Sequence, residues 1–391
     1  MAFDSVPKLW RRKQAPPVRG YSFSRPLVLL QSDGWGRVGV RDREGYEQLR
    51  VSGIRLGEHP YDFYTLENAD DVIALRDMLK RHRDSSGRAA CLVMNFVLAN
   101  LDFPKMLAND LQQVHLLPLT EGLPGKWKRP GLFEAHRLGI TDGVFYPAFL
   151  GLTQFSRSAV EHALSKRGER VALLQTLWKA ETPFIHWRMP WVGYEYCNPG
   201  KPHAGFLSAE AQTELIRQAA NVFKKFFSTP PLSACAPGYR ANKDTYLAWS
   251  QCGVRVVQDG SGAPSPPYMG ECEILNLHRT IDFEPSQREL SVEKYVQLAE
   301  QCFAQGIPAI VSVHAINFHS SLKDFRGPTL QVLDGLLSAL EAKYPNLLYV
   351  HDSDLYDIVT RGRFKSTHGS VSVEVKMQDA AQPYAFARGT K

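Results

Sequence analysis

Apolar residues come in short unbroken runs along most of this chain, and the runs alternate with longer stretches whose apolar positions recur every three to four residues. The Leu/Val run at 26–31 predicts a strand covered on both faces, and it leads into the turn-forming sequence Ser32-Asp33-Gly34-Trp35-Gly36. Residues 68–83 follow with a polar start and Val72, Ile73, Leu75, Met78 and Leu79 at helical spacing, which predicts a helix. Further strands are predicted at 90–98, 143–149, 232–236, 254–258, 272–277, 309–313 and 347–350, and further helices at 158–177, 208–227, 243–252, 291–305 and 329–344. Strands alternating with helices of this length imply a parallel sheet. About seven or eight such units point to a (β/α) barrel with loop insertions instead of an open sheet.

The pattern fails at both ends. Residues 1–26 are basic, proline-bearing and aperiodic, as expected of an arm, and the pattern fades again over 363–391, which reads as a tail. The expected domain is therefore 27–362.

Composition narrows the functions. Over 391 residues the chain is 44% apolar and 22% charged, ordinary for a folded protein. Its net charge of +6 arises from 46 basic and 40 acidic residues. No basic run interleaved with aromatics suggests a nucleic-acid partner. Arg11, Arg12 and Lys13 precede Gln14, Pro16 and Pro17 instead of an apolar core, so no signal peptide is expected. No apolar stretch is long enough to predict a membrane span. Cys91, Cys197, Cys235, Cys252, Cys272 and Cys302 show no Cys-x-x-Cys spacing and read as reduced thiols. A cytoplasmic protein with a small-molecule substrate and no membrane partner is expected; the pattern sets no oligomeric state.

Polar residues at the predicted strand ends would meet at one barrel mouth, where active sites of such barrels collect. They are Asp33, Tyr146 with Gln154 nearby, Arg240, Asp259 and His314, with Asn95 as the polar member of an otherwise apolar strand. Arg240 and Lys243 suit the clamping of a carboxylate or phosphate, although Lys243 suits a surface salt bridge better. The aromatics Phe184, Trp187, Trp191, Tyr194, Tyr196 and Phe206 suit either a loop lining a cleft or core packing.

Taken in order, six landmarks carry a family resemblance: Gln31-Ser32-Asp33-Gly34-Trp35-Gly36, Phe145-Tyr146-Pro147-Ala148-Phe149, Ala236-Pro237-Gly238-Tyr239, Arg279-Thr280-Ile281-Asp282-Phe283-Glu284-Pro285, Ser312-Val313-His314-Ala315-Ile316-Asn317-Phe318 and His351-Asp352-Ser353-Asp354. With these the chain resembles the polysaccharide deacetylase (NodB-homology, carbohydrate esterase family 4-like) superfamily over about 27–359. It looks most like a divergent branch whose members open on a strand ending Ser-Asp-Asp-Trp-Gly. The resemblance implies a distorted (β/α)7 or (β/α)8 barrel of deacetylase type. It also implies a first Asp acting as base, a second Asp and two histidines holding a metal, and a late histidine acting as acid.

Matched residue to residue, Asp33 is similar to the base and His314 to the acid, while Gly34, Leu150 and Gln154 stand at the three ligand positions. Gly and Leu offer no donor atom and Gln only a neutral one, so the inherited site is expected to hold no metal and no other cofactor is implied. His136, His186, His203, His278, His319 and His351 leave room for a relocated divalent metal site, but none pairs at i, i+4 with another histidine, as a helical metal motif would.

The expected function is an intracellular enzyme using Asp33 and His314 for metal-independent acid/base chemistry. Its substrate would be a small polar molecule such as an amino sugar, nucleotide sugar or biosynthetic intermediate, with Trp35, Asn95, Tyr146, Gln154, Tyr239, Arg240 and Asn317 in contact with it. The resemblance implies hydrolysis of an amide or another C–N bond; elimination or isomerisation needs only the same two groups. The alternatives are a non-catalytic protein binding a sugar-like or anionic ligand, and a deacetylase with a relocated metal. Without the metal, Asp33 is expected to pair with Arg240 or His314, or to titrate upward through burial.

Overall fold

The apolar runs become parallel strands in the computed structural model, which describes residues 18–166, 168–198, 205–260, 264–288, 290–367 and 369–380. The strands are β1 Leu27–Trp35, β2 Leu92–Val97, β3 Phe145–Gly151, β4 Ser233–Cys235, β5 Val256–Asp259, β6 Leu275–His278, β7 Ile281–Asp282, β8 Ala309–His314 and β9 Leu348–Tyr349. β8, β1, β2, β3, β4, β5 and β6 lie side by side in that order, all parallel, and β9 pairs with the start of β1. Two residues beyond β6 the chain becomes β7, which pairs with β8. One continuous segment, Leu275–Asp282, thus bonds β5 with its first half and β8 with its second, so the chain itself completes a distorted α/β barrel.

Strict alternation along these strands builds the barrel interior in layers. Leu27, Leu29, Val256, Leu275, Leu277 and Ile310 share one buried apolar cluster. The next inward positions, Gln31, Asp33, Asn95, Gln258, Arg279 and Ser312, are polar and buried. Register sets Asp33 beside Asn95 of β2 on one side and His314 of β8 on the other.

Most predicted helices are present, at Ala69–Arg81, Ala209–Phe227, Lys243–Gln251, Val292–Phe303 and Arg326–Lys343. The one expected over 158–177 is instead two, Arg157–Lys166 and Glu169–Lys179, with Gly168 at φ +100° capping the second. Asp352–Arg361 is a helix that periodicity missed. Its start is written in polar residues, His351 and Asp354 forming a reciprocal capping box. Val18–Phe23 of the expected arm pairs antiparallel with Val375–Ala380 of the expected tail, and Gly20 pairs with Tyr268 beside β6. Among the described residues no helix is long and apolar enough to cross a membrane, and all six cysteines are free thiols.

The join between β6 and β7 rests on Thr280, whose hydroxyl oxygen accepts from the Ile310 amide at 2.9 Å while its own amide donates to the Ile310 carbonyl at 3.1 Å. Thr280→Val leaves the buried Ile310 amide without that acceptor. A loss of about 1–3 kcal/mol is expected, read as a lower urea midpoint with an unchanged slope.

Candidate active site

Asp33 lies near the carboxyl end of β1 and is 5% exposed. Two strands from β1, with β8 between, Arg279 emerges from the β6–β7 join and is 0% exposed. The two form a bidentate bridge, Nη1 to Oδ2 at 2.5 Å and Nη2 to Oδ1 at 2.7 Å. Asn95 donates to Oδ1 at 2.7 Å, the Tyr239 hydroxyl lies 3.3 Å from Oδ2, and the Cys235 Sγ lies 4.0 Å from the same oxygen. Burial alone raises a carboxyl pKa. Here the Arg279 charge and hydrogen bonds, helped by His314 and Asn95, outweigh it and hold Asp33 below its ordinary 3.8. The upward titration and the Arg240 partner expected from the sequence are both replaced by Arg279.

The guanidinium is itself saturated. It also donates to Gln31 Oε1 at 3.2 Å, Gln258 Oε1 at 2.7 Å, Ser312 Oγ at 3.2 Å and the Tyr239 hydroxyl at 2.8 Å. Beneath it, Asp352 at the start of its helix accepts from Gln31, Gln258 and Ser233. Burial outweighs these neutral donors, so its pKa is raised. Two carboxyls in one lumen are thereby pushed in opposite directions, Asp33 toward the ionised form and Asp352 toward the protonated one.

His314 ends β8 with its side chain 36% exposed. Its Nδ1 is 2.5 Å from Glu284 Oε1, and the same oxygen accepts from the His314 amide at 3.0 Å. Asn317 fixes the carboxylate from the other side, donating to Oε2 at 2.6 Å and to the His314 carbonyl at 3.0 Å. Desolvation works against the imidazolium, but Glu284 and, behind it, Asp33 prevail and raise His314 above 6.5. A partly exposed histidine oriented through one nitrogen by a buried carboxylate is equipped to give and take protons near neutral pH.

The three positions implied as metal ligands do not fit a metal. Leu150 is buried in an apolar cluster with Val97 and Cys235, roofed by Tyr239. Gly34 takes φ +95° where β1 bulges, and its carbonyl accepts from the Tyr64 hydroxyl at 2.6 Å. Gln154 takes φ +66°, and its Oε1 is buried without a hydrogen-bond partner. Among the described residues no group of three or more His, Cys, Asp or Glu is arranged to hold a metal. His136 and His319 flank the buried Glu67 at 3.1 and 3.8 Å. His278 lies 3.8 Å from Asp259 and His351 3.2 Å from Asp354, while His203 lies outside the described residues.

Not every expected contact residue reaches the mouth. Tyr146 sits lower in the barrel, beside Val93 in register, where Arg88 donates to its hydroxyl and the His351 ring lies 3.5 Å away. Trp35 is turned out of the lumen by the bulge at Gly34 and stacks on Phe318 in the outer core. Asn95 and Asn317 are completely buried and hold Asp33 and Glu284. Tyr239, at φ +55°, does face the site. Arg240 packs over the Tyr194 ring at 5.8 Å, and Tyr194 in turn covers Gly238, where a Cβ would come within 2.4 Å of the ring. The aromatic segment therefore braces the turn that carries Tyr239. Within it, Glu195 is buried against the amides of Leu152 and Thr153, and burial raises its pKa to about 8.

Arg279 and Glu284 stand in one of the six landmarks, but their sequence positions alone assigned them no role in the site. A usable signal existed, because Leu275, Leu277 and Arg279 fall on one face of a strand at period two.

No protein-family model matches the sequence, and no curated protein matches it. Solved structures with a similar course of the chain include a protein described as a polysaccharide deacetylase from Mycobacterium smegmatis, 10% identical with a TM-score of 0.44, covering 92% of this chain and 94% of that one. The family 4 carbohydrate esterase from Streptomyces lividans is 9% identical with a TM-score of 0.34, covering 82% and 90%. A pseudoenzyme of that esterase family is 10% identical with a TM-score of 0.38, covering 88% and 72%. At these values the likeness concerns fold alone.

Removing the guanidinium in Arg279→Met strands an ionised carboxylate in the lumen. A loss of about 3–5 kcal/mol is expected at pH 7, followed by urea unfolding. Much of it should return in the double variant with Asp33→Asn, which has no charge left to strand.

Proposed function

We propose that this protein is a hydrolase-like enzyme that breaks an amide or related C–N bond in a small polar substrate, with His314 as acid and Asp33 as base, and without a metal at the inherited position. The observation that carries the reading is the His314–Glu284 pair standing in register beside Asp33 at the mouth. Binding a ligand alone requires no oriented, protonated imidazole next to an ionised carboxylate.

In this reading a water molecule attacks the carbonyl carbon while Asp33 Oδ2 takes its proton. As the tetrahedral intermediate collapses, the C–N bond breaks and His314 gives its proton to the departing nitrogen. Asp33 must first exchange the hydrogen bond it accepts from Tyr239 at 3.3 Å for one donated by water. Its lowered pKa makes it a weak base, so His314 carries the larger share of the proton transfer.

A second reading has its own support. Each Asp33 oxygen already meets two donors when Tyr239 is counted, close to the carboxylate's capacity. A lumen so saturated also suits a ligand-binding protein that has given up catalysis.

Turnover of a panel of small N-acetyl and other amide compounds separates the two. The enzyme reading expects activity that Asp33→Asn and His314→Ala each abolish in folded protein. It needs Asp33 ionised and His314 protonated. The acid limb of the profile therefore lies below 3.8 and the basic limb above 6.5. Glu284→Gln should move the basic limb downward, because it removes the charge that raises His314. Activity indifferent to both Asp33→Asn and His314→Ala overturns the assignment.

A further inference from the structure

Arg37 follows the bulged end of β1, four residues beyond Asp33. Its guanidinium carbon lies over the Tyr64 ring, 3.9 Å from the centroid. The Nε is buried and has no hydrogen-bond partner. Arg41, Arg88, Arg188 and Arg279 each face a carboxylate at 3.2 Å or closer. Arg37 faces no carboxylate among the described residues.

Its neighbourhood ties it to the candidate active site. Tyr64, beneath the guanidinium, donates to the Gly34 carbonyl next to Asp33. The Tyr61 ring lies 6.2 Å from Tyr64 and 6.2 Å from His314. A ladder Arg37, Tyr64, Tyr61, His314 therefore connects Arg37 to the candidate site. On its other side Arg37 lines a narrow crevice with Asn100, Thr153, Phe155 and Phe184. Phe155 and Phe184 give it apolar walls, while the side chains of Asn100 and Thr153 are held by Gly36, Val38 and Phe155.

A half-buried guanidinium that is held by stacking, and whose fork is left without an anion, is a preorganised receptor for an oxyanion. We propose that Arg37 anchors a carboxylate or phosphate group of the substrate at the barrel mouth. This deepens the reading given above, on which it rests for the word substrate, by naming an anionic class of molecule. Bound at Arg37, such a molecule would extend its remaining atoms along the Tyr64–Tyr61 wall toward His314. The stacked arginine would fix the distance between the anionic group and the bond to be cleaved.

The test uses anion binding by the full chain, independent of turnover. Inorganic phosphate and acetate are titrated by calorimetry at pH 7 against wild type, Arg37→Gln and Arg37→Lys, with His314→Gln as a control for the neighbouring cation. Saturable binding of at least one probe to wild type is expected, weakened about tenfold or more in Arg37→Gln. Arg37→Lys should retain part of it, since it keeps the charge but not the fork, and His314→Gln should keep most of it. Circular dichroism confirms that each variant is folded. Should Arg37→Gln lose its fold, the Lys variant decides alone, and affinity equal to wild type in it counts against the forked receptor. No saturable binding to wild type, or equal binding by folded Arg37→Gln, overturns the proposal. Intact anion binding in a protein that turns over no amide would leave Arg37 as a receptor and remove the hydrolase reading instead.

Discussion

The bidentate bridge between Asp33 and Arg279 is the constraint around which the barrel interior is organised. An unpaired carboxylate in this lumen would bear a desolvation penalty of several kcal/mol. Arg279 meets that penalty from the position where the chain changes neighbours between β6 and β7. The same few residues therefore complete the barrel and neutralise the buried Asp33 charge. Every other polar group of the layer is arranged to satisfy one of these two partners. Gln31, Gln258 and Ser312 accept from the guanidinium, and Asn95 donates to the carboxylate.

That arrangement divides the site into a rigid part and a responsive part. Asp33 is enclosed, ionised and surrounded by donors that do not titrate near neutral pH. His314, one strand over, is more open and belongs to a separate pair with Glu284, itself fixed by Asn317. The fixed charge also reaches His314, adding to the pull of Glu284. An internal guanidinium does here what a bound cation would do for the carboxylate's charge.

Much of this was legible in the sequence. The apolar runs gave the strands, and their alternation with helical stretches gave the barrel. The strand-end pattern set Asp33 and His314 at one barrel mouth, and the register shows them on adjacent strands. Three things were not legible. The partner of Asp33 came from 246 positions away, and a charged residue just after a short strand reads as surface unless its period-two alignment with Leu275 and Leu277 is followed inward. Trp35 shares parity with Asp33 and would face the lumen, but the bulge at Gly34 with its positive φ reverses it, and a local backbone irregularity leaves only a glycine as its trace. Tyr146 has the right parity and the wrong depth, because strand pairing sets height and the sequence alone does not contain the register.

The central claim is that Arg279 keeps Asp33 ionised inside the barrel. Its most direct measure is the pH titration of the Asp33 carboxyl carbon by NMR, assigned by difference from Asp33→Asn. A midpoint below the ordinary 3.8 is predicted, with the carboxylate shift unchanged across the neutral range. A midpoint above 3.8 would mean that burial prevails over the guanidinium, and it would contradict the account.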